Sequence, residues 1–99
     1  MAKIIYVDGK EETITDTSLE NLQKIVGGYV ETCDIYFKKE TNCEFDFFVY
    51  NEEGLMLKLP VNEKATKLFH ELKMDLSSWV NKKGLVGNVV LVTKEEIGE

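Results

Sequence analysis

The segment Thr17–Phe37 reads TSLENLQKIVGGYVETCDIYF. It joins a short capped helix to a long strand through two glycines. Thr17 and Glu20 have the spacing of a capping box, in which the hydroxyl accepts one orphan N–H and the carboxylate reaches back to another. Leu19, Leu22, Ile25 and Val26 then recur at helical spacing and form one apolar stripe. Gly27 falls where a left-handed C-terminal residue is wanted, because glycine adopts that backbone without a Cβ penalty. Gly28 lets the next strand pass close to the helix end. The pair reads first as a helix stop and second as a place where backbone can approach a bound molecule.

Outward from this joint, 99 residues bound the answer to one domain over 1–99, with 94–99 as a polar tail. A chain of this length can bury roughly two-thirds of its unfolded surface, so one modest core is feasible. Its 43% hydrophobic and 30% charged residues are those of an ordinary globular protein. The net charge of −6 argues against general affinity for DNA, RNA or anionic lipid, which need clustered Lys and Arg. It suits solubility, or a basic protein partner. No run approaches the ~20 apolar residues of a membrane span, and the start leads directly into a strand rather than a signal peptide. Cys33 and Cys43, the only cysteines, lie on segments expected to pair; reduced thiols of a cytosol are the first reading and a disulfide between them the second.

The remaining elements follow in order. Lys3–Val7 and Lys10–Thr15 read as strands joined at Asp8-Gly9, a two-residue type I′ turn. The second is polar enough to be an edge. Tyr29–Lys38 reads as a strand that places Tyr29, Glu31, Cys33, Ile35 and Phe37 on one face. Lys39–Asn42 is a polar turn. Glu44–Asn51 is a strand with Phe45, Phe47 and Val49 on one side and Phe48 and Tyr50 on the other. Asn51–Gly54 turns into a returning strand, Leu55–Leu59, which Pro60 ends. Asn62 caps a second helix, Glu63–Leu76. Ser77–Gly84 is open, with Trp79 and Val80 either extending the helix or anchoring a loop. The near-continuous apolar run Val89–Thr93 reads as a central strand. The order ββαβββαβ implies an α+β fold, a mostly antiparallel sheet of about six strands with two helices on one face. The opening hairpin followed by a helix also resembles the ubiquitin-like grasp arrangement.

Chemistry-bearing patterns are sparse. Glu31, Asp34, Asp46, Glu52 and Glu53 fall on neighbouring segments. They have no supporting histidine and alternate with turn residues, so solvated charge outweighs acid–base catalysis. His70 is the only histidine and belongs on a helix surface. CxxC, HxxxH and EF-hand spacings are absent. Gly27-Gly28 follows a helix instead of preceding one, so it is no phosphate loop. No catalytic residue, metal or cofactor is expected, and the chain reads as a non-enzyme. Aromatic residues crowd segments 29–50. Some are core, and Tyr29, Tyr36 and Tyr50 are the ones expected to show a polar tip, suited to an interface or to stacking on a planar ligand.

The run Leu22–Glu31, LQKIVGGYVE, resembles the signature of a family of small uncharacterised domains from phages, plasmids and Firmicute-type genomes. That family shows a helix ending in Val-Gly-Gly-Tyr-Ile-Glu. It then shows an Asn-Glu-Glu-Gly turn, matched by Asn51–Gly54, and a Leu-Pro-x-Asn step, matched by Leu59–Asn62. A Gly-x-Val-x-Val strand closes it, matched by Gly87–Leu91. The aromatic segment 33–48 and the Ser77–Gly84 insertion depart from shorter members, and Asn88 stands where proline is usual. The resemblance implies that Gly28, Tyr29, Glu31, Asn51, Glu53 and Asn62 line a shared site. A turn role for Asn51 and a cap role for Asn62 stand beside that reading. It also implies a mobile-element context and a protein that acts by binding. On this view the chain is a non-catalytic binder in the cytoplasm of a bacterial host. It counters host defence by sequestering a nucleotide-like small molecule, with sites between subunits of a homo-oligomer. The alternative is an acidic interaction module that inhibits a host protein.

Overall fold

Two strands of this chain are apolar on both sides, and that sets its layering. The computed structural model describes residues 1–36, 38–54, 56–72 and 84–97. Its sheet has five strands: β1 (Ala2–Ile5), β2 (Glu11–Ile14), β3 (Val30–Asp34), β4 (Phe47–Asn51) and β5 (Val89–Val92). They are ordered β2-β1-β5-β4-β3, and every pairing is antiparallel. Among the described residues, three helices, α1 (Leu19–Val26), α2 (Lys38–Thr41) and α3 (Glu63–Glu71), and a 3₁₀ turn at Glu95–Ile97 accompany the sheet. The class is α+β as expected, with the strand count and element order corrected to ββαβαβαβ.

Side chains of β4 and β5 alternate between two cores. Phe47, Val49, Val90 and Val92 join Ala2, Ile4 and the α1 residues Leu22 and Val26. Phe48, Val89 and Leu91 join Ile5 and the α3 residues Ala65, Phe69 and Leu72. The helices therefore cover opposite faces, not one face. The grasp likeness ends at the opening hairpin and α1. β5 is central and all four of its residues are buried, as its apolar run predicts. β2 lies at an edge, also as expected.

The expected strand Leu55–Leu59 does not exist as such; Leu55 itself lies outside the described residues. β4 is flanked by β3 and β5, so no free edge remains for a returning strand. The chain coils instead. Leu57 N–H donates to Glu53 O at 2.9 Å and Leu59 N–H to Gly54 O at 3.0 Å. Lys58 takes φ +55°.

β3 stops at Asp34 rather than running to Lys38, and the short helix α2 takes the place of the expected polar turn Lys39–Asn42. Asn42 closes α2 with φ +54° while Cys43 N–H reaches back to Lys38 O at 3.0 Å, a left-handed cap. Ile35 and Tyr36 belong to no strand; Phe37 lies outside the described residues, as do the helix extension over 73–76 and the placement of Trp79 and Val80.

Local capping also differs from expectation. Ser18, not Thr17, caps α1, its Oγ accepting Asn21 N–H at 3.3 Å. Thr17 instead donates its hydroxyl to Glu96 O. Leu19, predicted in the apolar stripe, is 60% exposed. In the first hairpin only Gly9 has positive φ, +93°, so the turn is longer than the two-residue I′ form. The 94–97 segment is tied down rather than trailing: Lys94 N–H donates to Asp46 Oδ2 at 2.9 Å, and Ile97 packs against the α1-side core.

Asn62 pins three elements at once. Its Oδ1 accepts Ala65 N–H at 3.0 Å, capping α3. Its Nδ2 donates to Ile5 O at 2.8 Å and Gly87 O at 2.9 Å, all with the residue fully buried. Asn62→Ala leaves two carbonyls and one N–H buried without partners, so it should destabilise the fold by about 3–4 kcal/mol in urea unfolding.

Asp46 ties the far end. It accepts from Lys38 Nζ and from Lys94 N–H, and these bonds hold its carboxyl below the usual aspartate range. A depressed carboxyl contributes stability above its unfolded pKa and loses it as pH falls through the folded value. Asp46→Asn should therefore lower Tm by about 4 °C at pH 7, equivalent to about 1 kcal/mol in a domain of this size. The gap to the parent should close as pH falls below 3.8, the ordinary aspartate value. Calorimetric scans across that range check it.

Candidate functional site

The C-terminus of α1 should expose unpaired carbonyls, since the last turn of any helix leaves them without intrahelical donors. Here they are taken from outside the helix. Gln23 O accepts both Gly27 N–H at 2.8 Å and Gly28 N–H at 3.0 Å, with Gly27 at φ +83°. Ile25 O accepts from Asn88 Nδ2 at 3.2 Å and Val26 O from Asn51 Nδ2 at 3.0 Å. Asn51, 3% exposed, also accepts Glu53 N–H on Oδ1 at 2.7 Å. Across the β3–β4 end, Glu52 N–H donates to Tyr29 O at 2.8 Å. These bonds fix the corner after α1 against the turn after β4.

Between them lies an open hollow of about 320 Å³, lined by Gln23, Gly27, Gly28, Tyr29, Asn51, Glu53 and Leu57. Tyr29 is 66% exposed and Leu57 54%, so a ring and an aliphatic chain stand at its rim. The Glu53 side is acidic, and the helix end carries partial negative charge. None of the lining residues is a lysine or arginine. The hollow thus offers a stacking surface and hydrogen-bond acceptors, and no cationic grip for a phosphate. Gly28 is needed for closeness: a Cβ there would sit 3.0 Å from Asn51 Nδ2.

Of the residues expected in a shared site, Gly28, Tyr29, Asn51 and Glu53 come together here. Glu31 does not. It is exposed on β3, paired in register with Tyr50, on the face that also carries Cys33. Asn62 does not either, since its amide is spent on α3, β1 and the approach to β5. Gln23 and Leu57 were missed. Leu57 was hidden by its assignment to a strand, and Gln23 carries no signal beyond its place one turn before a helix end.

The other suspected carboxylates do not join this hollow. Asp46 serves the Lys38 and Lys94 contacts at the other end of β4. His70 is exposed on α3, edge-on to Phe69 at 6.3 Å between ring centroids. Cys33 and Cys43 are free thiols. Burial first, then the charges of Asp34 and Glu31, pushes the Cys33 thiol up to about 11. Among the described residues no three His, Cys, Asp or Glu side chains converge as metal ligands would. Nor is any described helix long and apolar enough to cross a membrane.

A protein-family model described as Domain of unknown function (DUF3846) matches residues 1–99. No curated protein and no solved structure matches the chain.

The two glycines have separable roles. Gly27→Ala meets open space but forces a side chain into left-handed backbone, which should cost about 1 kcal/mol in unfolding experiments. Gly28→Ala crowds Asn51, so it should shift the Asn51 side-chain amide resonances, whereas Gly27→Ala should leave them in place.

Proposed function

We propose, for a chain that belongs to the DUF3846 family, that it is a non-catalytic binding protein whose hollow takes the planar, hydrogen-bond-donating end of a small molecule. The base of a nucleotide-like ligand fits that description. The observation that carries this reading is the convergence of the exposed Tyr29 ring, the Leu57 side chain and Glu53 on the corner fixed by Asn51. Stacking on an exposed aromatic ring contributes about 1–3 kcal/mol per base. A carboxylate beside a helix C-terminus favours amino and ring N–H donors. Any phosphate would point to solvent, because the lining supplies no cation. Recognition then proceeds without bond-making.

The resemblance to phage and plasmid domains gives such binding a use: sequestering a nucleotide-like signal of host defence in the bacterial cytoplasm. A second copy laid over Tyr29 and Leu57 would deepen the open hollow, which favours a homo-oligomer with sites at subunit contacts.

Titration calorimetry against a panel of nucleosides and nucleotides tests the reading, with native mass spectrometry for subunit count. At least one member should bind. Tyr29→Ala should weaken it about tenfold or more, matching the loss of a stacking contact, and Glu53→Gln should weaken amino-bearing bases most. Glu40→Gln, exposed on α2 at the other end of β4 from the hollow, should leave binding unchanged. Absence of heat from every member would end this proposal.

A further inference from the structure

β3 closes the sheet on one side, and among the described residues its outer backbone is unpaired. Tyr29 O accepts from Glu52 N–H, and Ile35 N–H donates to Asp46 O at 2.9 Å. In an antiparallel pair, hydrogen-bonded positions recur every second residue. Residues 29, 31, 33 and 35 therefore face β4, and Val30, Thr32 and Asp34 present their N–H and C=O groups outward. Among the described residues no strand pairs on that side. Glu31, Thr32 and Asp34 are exposed. Two tyrosines stand at the two ends of this edge, Tyr29 at 66% and Tyr36 at 73% exposure.

The opposite edge differs in kind. On β2, Glu11 is shared by Lys3 at 2.9 Å and by Lys64, and Glu12 accepts the Tyr6 hydroxyl at 2.7 Å. Those carboxylates are already matched. On β3, no ion pair involves Glu31 or Asp34 among the described residues. Alternation places Glu31 on the α3 side and Asp34 on the α1 side.

We infer that the outer edge of β3 is a docking site for an extended basic segment of a partner protein, which adds to the sheet as a sixth strand. Its backbone would pair with Val30, Thr32 and Asp34, the mode in which main-chain bonds give affinity and alternate side chains give selectivity. Its lysines or arginines would meet Glu31 on one face and Asp34 on the other. Tyr29 and Tyr36 would supply ring contacts to cations and aliphatic stems at the ends. A second copy of this chain is the poorer occupant. Antiparallel self-pairing centred on Thr32 sets Glu31 opposite the second copy's Cys33 and Asp34 opposite its Val30, so neither carboxylate meets a cation, between subunits that each carry a net charge of −6.

The test uses the full chain and two labelled nonapeptides, one alternating threonine with lysine and one alternating threonine with glutamate. Fluorescence anisotropy at low salt should show micromolar binding of the lysine peptide and none of the glutamate peptide. Bound lysine peptide should slow hydrogen exchange at the amides of residues 30, 32 and 34, which are open in the free protein. Glu31→Lys with Asp34→Lys should weaken binding at least tenfold. Thr32→Pro removes one outward donor and should do the same while circular dichroism stays unchanged; if that variant fails to fold, hydrogen exchange on the parent decides. Equal binding of both peptides, no binding, or binding without protection at 30, 32 and 34 would overturn the proposal. So would a free protein already dimeric through this edge by sedimentation. Glu53→Gln lines the hollow and not the edge, so its insensitivity to the peptide separates this proposal from the ligand reading.

Discussion

Everything in this structure answers to the burial of β5 on both of its faces. Val89 and Leu91 project into one core, Val90 and Val92 into the other, and none is more than 2% exposed. Burying each such side chain is worth roughly 1.5–3 kcal/mol, so neither face of the sheet centre can be left wet. One helix must lie over each face. Backbone groups of β5 are likewise engaged on both sides, by β1 and β4. The two edges that remain are carried by β2 and β3, where polar side chains suit the contact with water.

Layers that meet only through apolar side chains can slide, and asparagines hold these in place. Asn62 fastens the start of α3 to the end of β1 and the approach to β5. Asn51 and Asn88 fasten the end of α1 from the opposite side of the sequence. In a low-dielectric setting, satisfied amides of this sort specify one arrangement, because any shift would leave polar groups stranded. The hollow beside Tyr29 is a by-product of the same stitching. Its back wall is a helix end whose carbonyls are already occupied, so what it shows a ligand is chiefly a ring, an aliphatic chain and a carboxylate.

Much of this was legible in the chain. Gly27 as a left-handed helix end, Asn62 as a cap, β2 as an edge and β5 as the centre all follow from local chemistry that tertiary contacts do not override. The two-sided cover was also signalled by the consecutive Phe47, Phe48 and Val49, although the helices were assigned to one face. Competition was not legible. Leu55–Leu59 alternates well enough for a strand, but β3 and β5 occupy both sides of β4. Thr17 and Ser18 are both good caps, and the choice fell to Ser18 because Thr17 is drawn to Glu96 across the fold. The site was half legible for the same reason. Residues at the glycine joint and the Asn51 turn converge because backbone connects them. Glu31 departs by strand alternation, and Leu57 arrives through a coil that no local pattern announces.

The pairing of β1 with β5 joins Lys3 to Leu91 and Ile5 to Val89. The first strand of this sheet thus waits for the fifth. Until residues 89–92 emerge, the opening hairpin and the β3–β4 hairpin are two separate ribbons, each with an unpaired inner margin and half its apolar side chains uncovered. Non-local pairing of this order slows folding, since chain closure precedes its reward. The two hairpins of this protein therefore stay unjoined until β5 is in place, and the native partners of β1 and β4 on that side arrive last.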